Sequence, residues 1–361
     1  MEHKFEVIDC LRVVLVILII FLHAYTATMF VEWLHKGYPM YAFITYNFAL
    51  LGGYIAVPFF FFISGFLFFS SSHGKVNYYK KWRRRIHTLL IPYIIWNAII
   101  LIMLYFLQSN SMLREYFSGN NKFIADYSWI DFFRAFWDSG HWDGGDCTPI
   151  LSVLWYIRNL MIMSLLAPVI WYLNSLLKYF WLIPVFLVWL FTPRLAFTSC
   201  SIFWFGLGAY FSCVKVDLNL FFMRKRMIAI VSFMIFFLMY NVLFFIPLNV
   251  VLHVFIQRVC ILFAIPVIYI TVWVGITRWK WKLQPLWSKA TCFIFVFHYF
   301  LIIGIRKLVI KFFANVSDVG MVLLYFLSIM ITLFVSFSVY VLLQKLMPKF
   351  LSIITGGRSR K

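Results

Sequence analysis

Apolar runs recur along the entire chain and are separated by short polar segments. Ten of them reach or approach the roughly 20 apolar residues that a helix needs to cross a bilayer. They cover residues 11–30, 44–69, 87–107, 150–172, 179–193, 198–214, 227–246, 250–274, 287–306 and 319–346. The run at 179–193 is the shortest of these and contains Pro184. The pattern predicts an all-α polytopic membrane protein with about ten transmembrane helices.

The composition supports a membrane location. The chain has 361 residues, of which 64% are hydrophobic, whereas soluble domains are close to half apolar. In a soluble protein the net charge of +20 would suggest a nucleic-acid partner. Here the lysines and arginines cluster in the segments 70–87, 215–226 and 275–289 and after residue 344, as they do in the cytoplasmic loops of membrane proteins. We therefore expect the chain to contact a lipid bilayer and no nucleic acid.

Ten helices would bring these basic segments and the N-terminus to one side, which the positive-inside rule makes cytoplasmic. The sequence thus predicts that both termini are cytoplasmic, that residues 1–350 form one transmembrane domain and that residues 351–361 form a short basic tail. Arg306, Lys307 and Lys311 are exceptions, because this threading places them outside. The six cysteines show no spacing typical of a metal site or of a disulfide framework, so we expect neither.

The first apolar run carries Arg12 and His23, and Asp9 precedes Arg12 by about one turn. Eleven helical residues make three turns plus about 20°, so Arg12 and His23 share one face about 16 Å apart. Ionisable residues inside a membrane are costly and usually functional. A histidine can accept and return a proton near neutral pH, and an arginine can bind a phosphate or carboxylate. The alternatives are a histidine bonded between helices and an arginine that reaches the cytoplasmic surface.

Further candidates lie in the second and third runs. Ser64 and Gly65 stand among aromatic residues, where small side chains allow close helix packing. A nucleophilic Ser64 would need a base within reach, and the sequence shows none. Arg83, Arg84 and Arg85 precede the third run. They could signal topology alone or hold the phosphates of an anionic ligand.

Two later segments add polar and aromatic candidates. Ser152, Trp155 and Asn159 share a face near the predicted outer surface, with Arg158 beside them. Aromatic residues there are common at membrane interfaces and also suit stacking on sugar rings. His298 lies in the middle of a late run, where it is either a packing histidine or a second polar member of the site.

Five short segments, taken in chain order, resemble motifs of the acyltransferase-3 family of membrane acyltransferases. They are Arg12-x10-His23, PFFFFISGFL at 58–67, RIHTLLIPYIIW at 85–96, LWY at 154–156 and FIFVFH at 293–298. One departure is Thr88, with His87 beside it, where family members often carry another basic residue about one turn before the proline. The resemblance extends from about residue 8 to about residue 300 and shows no fused hydrolase-like domain.

The resemblance implies a multi-pass enzyme of the bacterial plasma membrane that moves an acyl group, often acetyl, from cytoplasmic acyl-CoA to a surface glycan or a lipid-linked saccharide. Acyl-CoA would be a donor substrate rather than a permanently bound cofactor. His23 is then expected to be the general base, with Arg12 anchoring the donor and Asp9 holding Arg12. The remaining expected contacts are donor-binding by Arg83, Arg84, Arg85 and Ser64, and acceptor-binding by Trp155, Arg158 and His298.

Two other functions fit the residues alone. A transporter or flippase of a glycan-linked or amphipathic substrate would also place polar residues in mid-membrane. Inverted repeats would favour that reading, and the sequence shows none. A glycan polymerase would want a large outer loop rich in arginine, whereas the segment 108–149 contains only Arg114 and Arg134.

Overall fold

The computed structural model describes residues 2–24, 37–70, 77–114, 122–139, 147–192, 196–246, 249–313 and 316–357. Within these ranges all regular structure is helical. The helices of seven residues or more are numbered α1 (Glu2–Ala24), α2 (Pro39–Ser70), α3 (Tyr78–Ser109), α4 (Trp129–Ala135), α5 (Trp155–Leu165), α6 (Ala167–Leu176), α7 (Leu182–Phe191), α8 (Ala196–Cys213), α9 (Leu218–Arg224), α10 (Arg226–Phe245), α11 (Val250–Thr277), α12 (Pro285–Phe312), α13 (Asp318–Leu346) and α14 (Pro348–Ile354).

The described residues contain seven helices that are long and apolar enough to cross a membrane, or up to nine if each of two bent pairs is one span. The bent pairs are α5 with α6, at 59°, and α8 with α9, at 107°. The predicted run at 179–193 corresponds to α7, which has ten residues. At 1.5 Å per residue such a helix is about 15 Å long, roughly half of the hydrocarbon core. The predicted all-helical membrane architecture is confirmed, and by length and composition the described residues contain seven to nine spans.

The bend between α5 and α6 has a local cause. Pro168 lies in the first turn of α6 and has no N–H to donate to the carbonyl four residues earlier. That carbonyl, on Ser164, instead accepts a hydrogen bond from Trp82 Nε1 at 2.8 Å. The freed carbonyl therefore fixes the start of α3 against the end of α5.

Helices α2 and α8 cross at two glycines. A Cβ on Gly65 would lie 2.1 Å from the Phe205 carbonyl oxygen, and one on Gly208 would lie 2.1 Å from that of Phe62. Only hydrogen fits in that space, so the two backbones approach as closely as small residues allow. The expectation that the small residues at 64 and 65 serve close packing is met at Gly65.

Helix α1 packs against α2, α11, α12 and α13. Its side chains Leu11, Leu15 and Ile20 are fully buried. The carbonyl of Phe21 accepts a hydrogen bond from Tyr325 on α13 at 2.9 Å. Asp318, at the start of α13, accepts from the backbone N–H groups of the first turn of α2. The end of α1 and the starts of α2 and α13 therefore lie at the same end of the bundle.

The C-terminal segment packs with the membrane helices. Leu351 and Ile354 on α14 are buried in the same core as the long helices. Trp96 Nε1 on α3 donates to the Ile354 carbonyl at 3.0 Å. The predicted boundary at residue 350 thus falls inside a docked helix. Of the predicted tail, residues 358–361 lie outside the described ranges.

Candidate functional site

The site forms where the end of α1 meets the middle of α12. The imidazole of His23 lies 5.4 Å from that of His298 and 5.1 Å from the ring of Tyr299, centroid to centroid. Tyr299 meets His23 edge-on, at 88° between the ring planes. Among the described residues the imidazole of His23 makes no hydrogen bond. The structure therefore brings together the two candidate histidines that the sequence placed on separate helices.

His298 is fully buried, and its tautomer follows from its contacts. Its Nδ1 lies 3.0 Å from the carbonyl oxygen of Ile294. A carbonyl can only accept, so Nδ1 carries the hydrogen when the ring is neutral. The other ring nitrogen, Nε2, is buried and has no partner within the described parts of the chain. Nε2 is then a hydrogen-bond acceptor without a donor among the described residues.

Two further side chains of α12 face the same region. Tyr299 and Arg306 are seven residues apart and share a helix face. The Tyr299 hydroxyl lies 2.7 Å from the Ser152 hydroxyl, just before α5. Nη1 of Arg306 donates to the backbone carbonyl of His23 at 2.9 Å. Arg306 and Tyr299 thus connect the His23 region to α5 and to the end of α1.

Sequence reasoning missed Tyr299 and Arg306. In the sequence, Arg306 stands out only as an exception to the charge rule, because it ends an apolar run and the threading places it outside. The seven-residue spacing from Tyr299 to Arg306 was the available signal. What the sequence could not supply was the register of α12 against α1, which decides whether that face meets His23.

Arg12 and Asp9 lie near the other end of α1. Nη1 of Arg12 donates to Oδ1 of Asp9 at 2.7 Å, and the two side chains are 41% and 42% exposed. A half-exposed ion pair contributes little to stability. The guanidinium of Arg12 is accessible to a ligand and lies about 16 Å along the helix from His23.

A basic groove lies on α3. It is shallow and largely open, with a volume of about 290 Å³, and it is lined by Tyr79, Lys80, Arg83, Arg84 and His87. These residues follow one another at helical spacing, so they form a single face. Two of the three consecutive arginines therefore point into one groove with a lysine and a histidine.

The third arginine lies elsewhere. The guanidinium of Arg85 lies 5.7 Å from the centre of the Phe68 ring, and Nζ of Lys81 lies 4.6 Å from it. Lys81 also donates to the Phe68 carbonyl near the end of α2. Lys81 and Arg85 are four residues apart, so they occupy the face turned toward α2. The groove thus uses Arg83 and Arg84, while Arg85 packs against an aromatic ring.

The remaining candidates contact neighbouring parts of the bundle. Ser64 shares a 3.2 Å hydroxyl contact with Tyr156 of α5. The ring of Trp155 stacks on Phe197, with 3.9 Å between centroids. Arg158 is 6% exposed. Its guanidinium donates to the carbonyls of Trp137 and Cys147, at 2.6 and 2.7 Å. Arg158 therefore ties Trp137 and Cys147, which lie between α4 and α5 in the sequence, to α5.

Comparison with known proteins gives a family. A model of the acyltransferase-3 family, described as an acyltransferase domain, matches residues 5–341. That range covers nearly the whole chain and includes His23, the groove on α3, and both His298 and Arg306 on α12. No curated protein and no solved structure matches the chain. The resemblance that the five motifs indicated is confirmed.

Proposed function

The chain belongs to the acyltransferase-3 family, and on this premise we propose that it transfers an acyl group, acetyl in the simplest case, from acyl-CoA to a hydroxyl of a surface glycan or its lipid-linked precursor. A membrane acyltransferase follows from the family and the apolar helices. The donor, the acceptor and the role of each residue are the proposal.

The observation that carries the proposal is the environment of His23. This histidine ends α1 beside His298 and Tyr299 and has no hydrogen bond to its ring within the described residues. An imidazole without a fixed partner can take the proton of an acceptor hydroxyl as that hydroxyl attacks a thioester. In His298, by contrast, Nδ1 is held by the Ile294 carbonyl. We therefore assign the general base to His23, with His298 as a fixed acceptor beside it.

The donor would bind at the basic end of the bundle. Coenzyme A carries several phosphate charges, which suit Arg83, Arg84 and Lys80 in the open groove. Arg12 offers a further exposed guanidinium on the helix that carries His23. The pantetheine arm is long and thin, on the scale of the roughly 16 Å between Arg12 and His23 along α1. We propose that the arm follows α1 and delivers the thioester to His23.

The proposed orientation places the N-terminus and the groove in the cytoplasm. Contacts of α7 support a threading of ten helices. Its end at Thr192 accepts a hydrogen bond from Arg258, and His253, five residues before Arg258, contacts Tyr46 near the start of α2. Helix α7 therefore runs toward the end of the bundle where α2 begins. If α7 counts as a membrane crossing, the basic segments and both termini fall on one side of the membrane.

The acceptor would approach from the opposite end, in a bacterial plasma membrane. There the segment around α4 presents Trp129 and Phe133, which are 83% and 77% exposed. Exposed aromatic rings suit stacking on sugars, and Arg158 fixes this segment to α5. We propose this surface, with Trp155 near its base, as the side from which the glycan reaches His23.

The test is turnover by the purified protein in nanodiscs. Radiolabelled acetyl-CoA is added with a saccharide-containing membrane extract, and release of CoA and labelling of the extract are followed. The proposal predicts both, above the level of empty nanodiscs. Absence of both, with no binding of acetyl-CoA, would overturn it. A transporter would bind its substrate and move it without releasing CoA, and His23→Ala would leave that binding intact.

A further inference from the structure

Arg306 is a cation in a membrane-spanning helix, and it has no acidic partner among the described residues. It belongs to the stretch Pro285–Val309, which is apolar enough to cross a bilayer. Within the described part of the chain it forms no ion pair with an acidic residue. Its Nε atom is buried and has no hydrogen-bond partner there. An uncompensated charge at such a position is costly and usually serves a function.

The position of Arg306 relative to His23 is specific. Its Nη1 donates to the backbone carbonyl of His23, so the guanidinium lies next to the backbone of the residue that carries the proposed base. Tyr299, one of the two rings around His23, lies on the same face of α12. Arg306 therefore places positive charge where the thioester would react under the proposed function.

We propose that Arg306 is a catalytic residue that stabilises the oxyanion formed during acyl transfer. This inference rests on the proposed function. Groups aimed at charge that develops in the transition state commonly provide the largest single part of a rate enhancement. Such groups act most strongly where water is excluded, as inside a helical bundle. A guanidinium is also charged at every working pH.

The step balances with the groups at hand. His23 takes the proton of the acceptor hydroxyl, and the hydroxyl oxygen forms a bond to the carbonyl carbon of the thioester. The π electrons of the carbonyl move to its oxygen, which becomes an anion beside Arg306. When the carbonyl re-forms, the C–S bond breaks and CoA leaves as the thiolate. The thiolate then takes the proton from His23.

A purely structural role makes a different prediction. A cation near the last turn of a helix stabilises its free carbonyls, and Arg306 bonds the carbonyl of His23 in this way. For that role a neutral amide donor should serve well. For oxyanion stabilisation the charge itself matters. The two roles are separated by Arg306→Gln, which keeps an N–H donor, and Arg306→Lys, which keeps the charge.

The chain offers a matched control in Arg258. It is a buried arginine, 7% exposed, and like Arg306 it donates to a carbonyl at the end of a helix, that of Thr192 after α7. The variant Arg258→Gln removes the same charge and keeps the same type of donor, on a helix that does not carry His298. Its kcat is expected to stay within about threefold of wild type, as for a substitution outside the reacting groups.

The experiment measures kcat and KM for radiolabelled acetyl-CoA in nanodiscs, with thermal unfolding of each variant. Arg306→Gln is expected to lower kcat by about 10²- to 10³-fold, with KM and melting temperature close to those of the Arg258→Gln control. Arg306→Lys should keep about tenfold more activity than Arg306→Gln, since it retains the charge. A Gln variant as active as wild type, or a Lys variant no better than Gln, would overturn the inference.

Folding failure of one variant does not block the test. If Arg306→Gln does not fold, Arg306→Met takes its place as the neutral variant: a kcat at least tenfold below that of Arg306→Lys supports the inference, and equal kcat values overturn it. If wild-type protein releases no CoA, the proposed function fails and this inference with it. If wild type and Arg306→Gln release CoA equally, only the role of Arg306 fails.

Discussion

The imidazole rings of His23 and His298 lie 5.4 Å apart although they come from α1 and α12, near opposite ends of the chain. His298 is locked by its hydrogen bond to the helix backbone, while the ring of His23 is not bonded to any described residue. The ring of His23 can therefore exchange a proton, whereas the ring of His298 presents an acceptor nitrogen in a fixed position. This asymmetry underlies the assignment of the base to His23.

Substitution of Arg12 should weaken donor binding more than it slows chemistry. A phosphate contact far from the thioester acts equally in the ground and transition states, so Arg12→Gln should raise KM for acetyl-CoA about tenfold with kcat nearly unchanged. Steady-state kinetics in nanodiscs measure both. Asp9→Asn should have a smaller effect, because its bond to Arg12 is half exposed. If Arg12→Gln lowered kcat by a larger factor than it raised KM, the anchoring role would be contradicted.

The groove on α3 predicts a salt-sensitive donor site. Arg84→Ala should raise the Kd for acetyl-CoA about tenfold at low salt and less at high salt, because the contact is electrostatic and partly exposed. The matched control is Arg224→Ala, which removes an exposed arginine from the end of α9. It should leave the Kd unchanged. Equal effects of the two substitutions would mean that net charge, rather than the groove, governs binding.

Much of this architecture could be predicted from the sequence because it rests on local patterns. Apolar runs of sufficient length specify membrane helices, and the eleven-residue spacing puts Arg12 and His23 on one face of α1. The five motifs gave the family. That Arg84 and Arg85 lie on different faces of α3 was also predictable, because residues four apart in a helix share a face and adjacent residues do not.

The remainder depends on contacts between helices distant in sequence. The meeting of His23 with His298 and Arg306 requires the register of α1 against α12. That register is set by side-chain packing along both helices and leaves no periodic signal. The same holds for the hydroxyl pair of Ser152 and Tyr299. The bend after α5 has a local signal in Pro168, yet the Ser164 carbonyl that it leaves free bonds to Trp82, a residue of another helix.

The crossing of α2 and α8 predicts a cost for any side chain at Gly65. In Gly65→Ala the new Cβ would overlap the Phe205 carbonyl, and overpacking of this kind costs about 1–3 kcal/mol. Thermal unfolding in detergent should show a lower melting temperature. Gly304→Ala is the control, because a Cβ there meets nothing within 4 Å and alanine favours helix by about 0.5–1 kcal/mol. A Gly65→Ala protein as stable as Gly304→Ala would refute the close crossing.

The start of α4 should resist mild acid. Hydrogen bonds from Lys122 and from the backbone and hydroxyl of Ser128 hold the pKa of Asp131 well below its usual range. A lowered pKa gives stability that is present above the ordinary value of about 3.9 and is lost only as pH falls through the lowered one. The local structure should therefore be the same at pH 7 and pH 5.

Hydrogen exchange of the amides in α4 checks this. Exchange protection corrected for intrinsic rates should be equal at pH 5 and pH 7 in the wild type and reduced at both in Asp131→Asn. The control Asp126→Asn removes a neighbouring acid outside the Ser128–Asp131 capping box and should keep wild-type protection. Loss of wild-type protection between pH 7 and pH 5 would mean that another group controls this segment.

The most direct test of the account is the rate of CoA release from acetyl-CoA by wild-type and His23→Ala protein, each first shown to bind acetyl-CoA. Loss of a general base typically costs about 10²- to 10⁴-fold in rate. We expect a loss of that size in His23→Ala, with the Kd for acetyl-CoA unchanged. An active wild-type enzyme whose turnover survives His23→Ala would contradict the assignment of the chemistry to the end of α1.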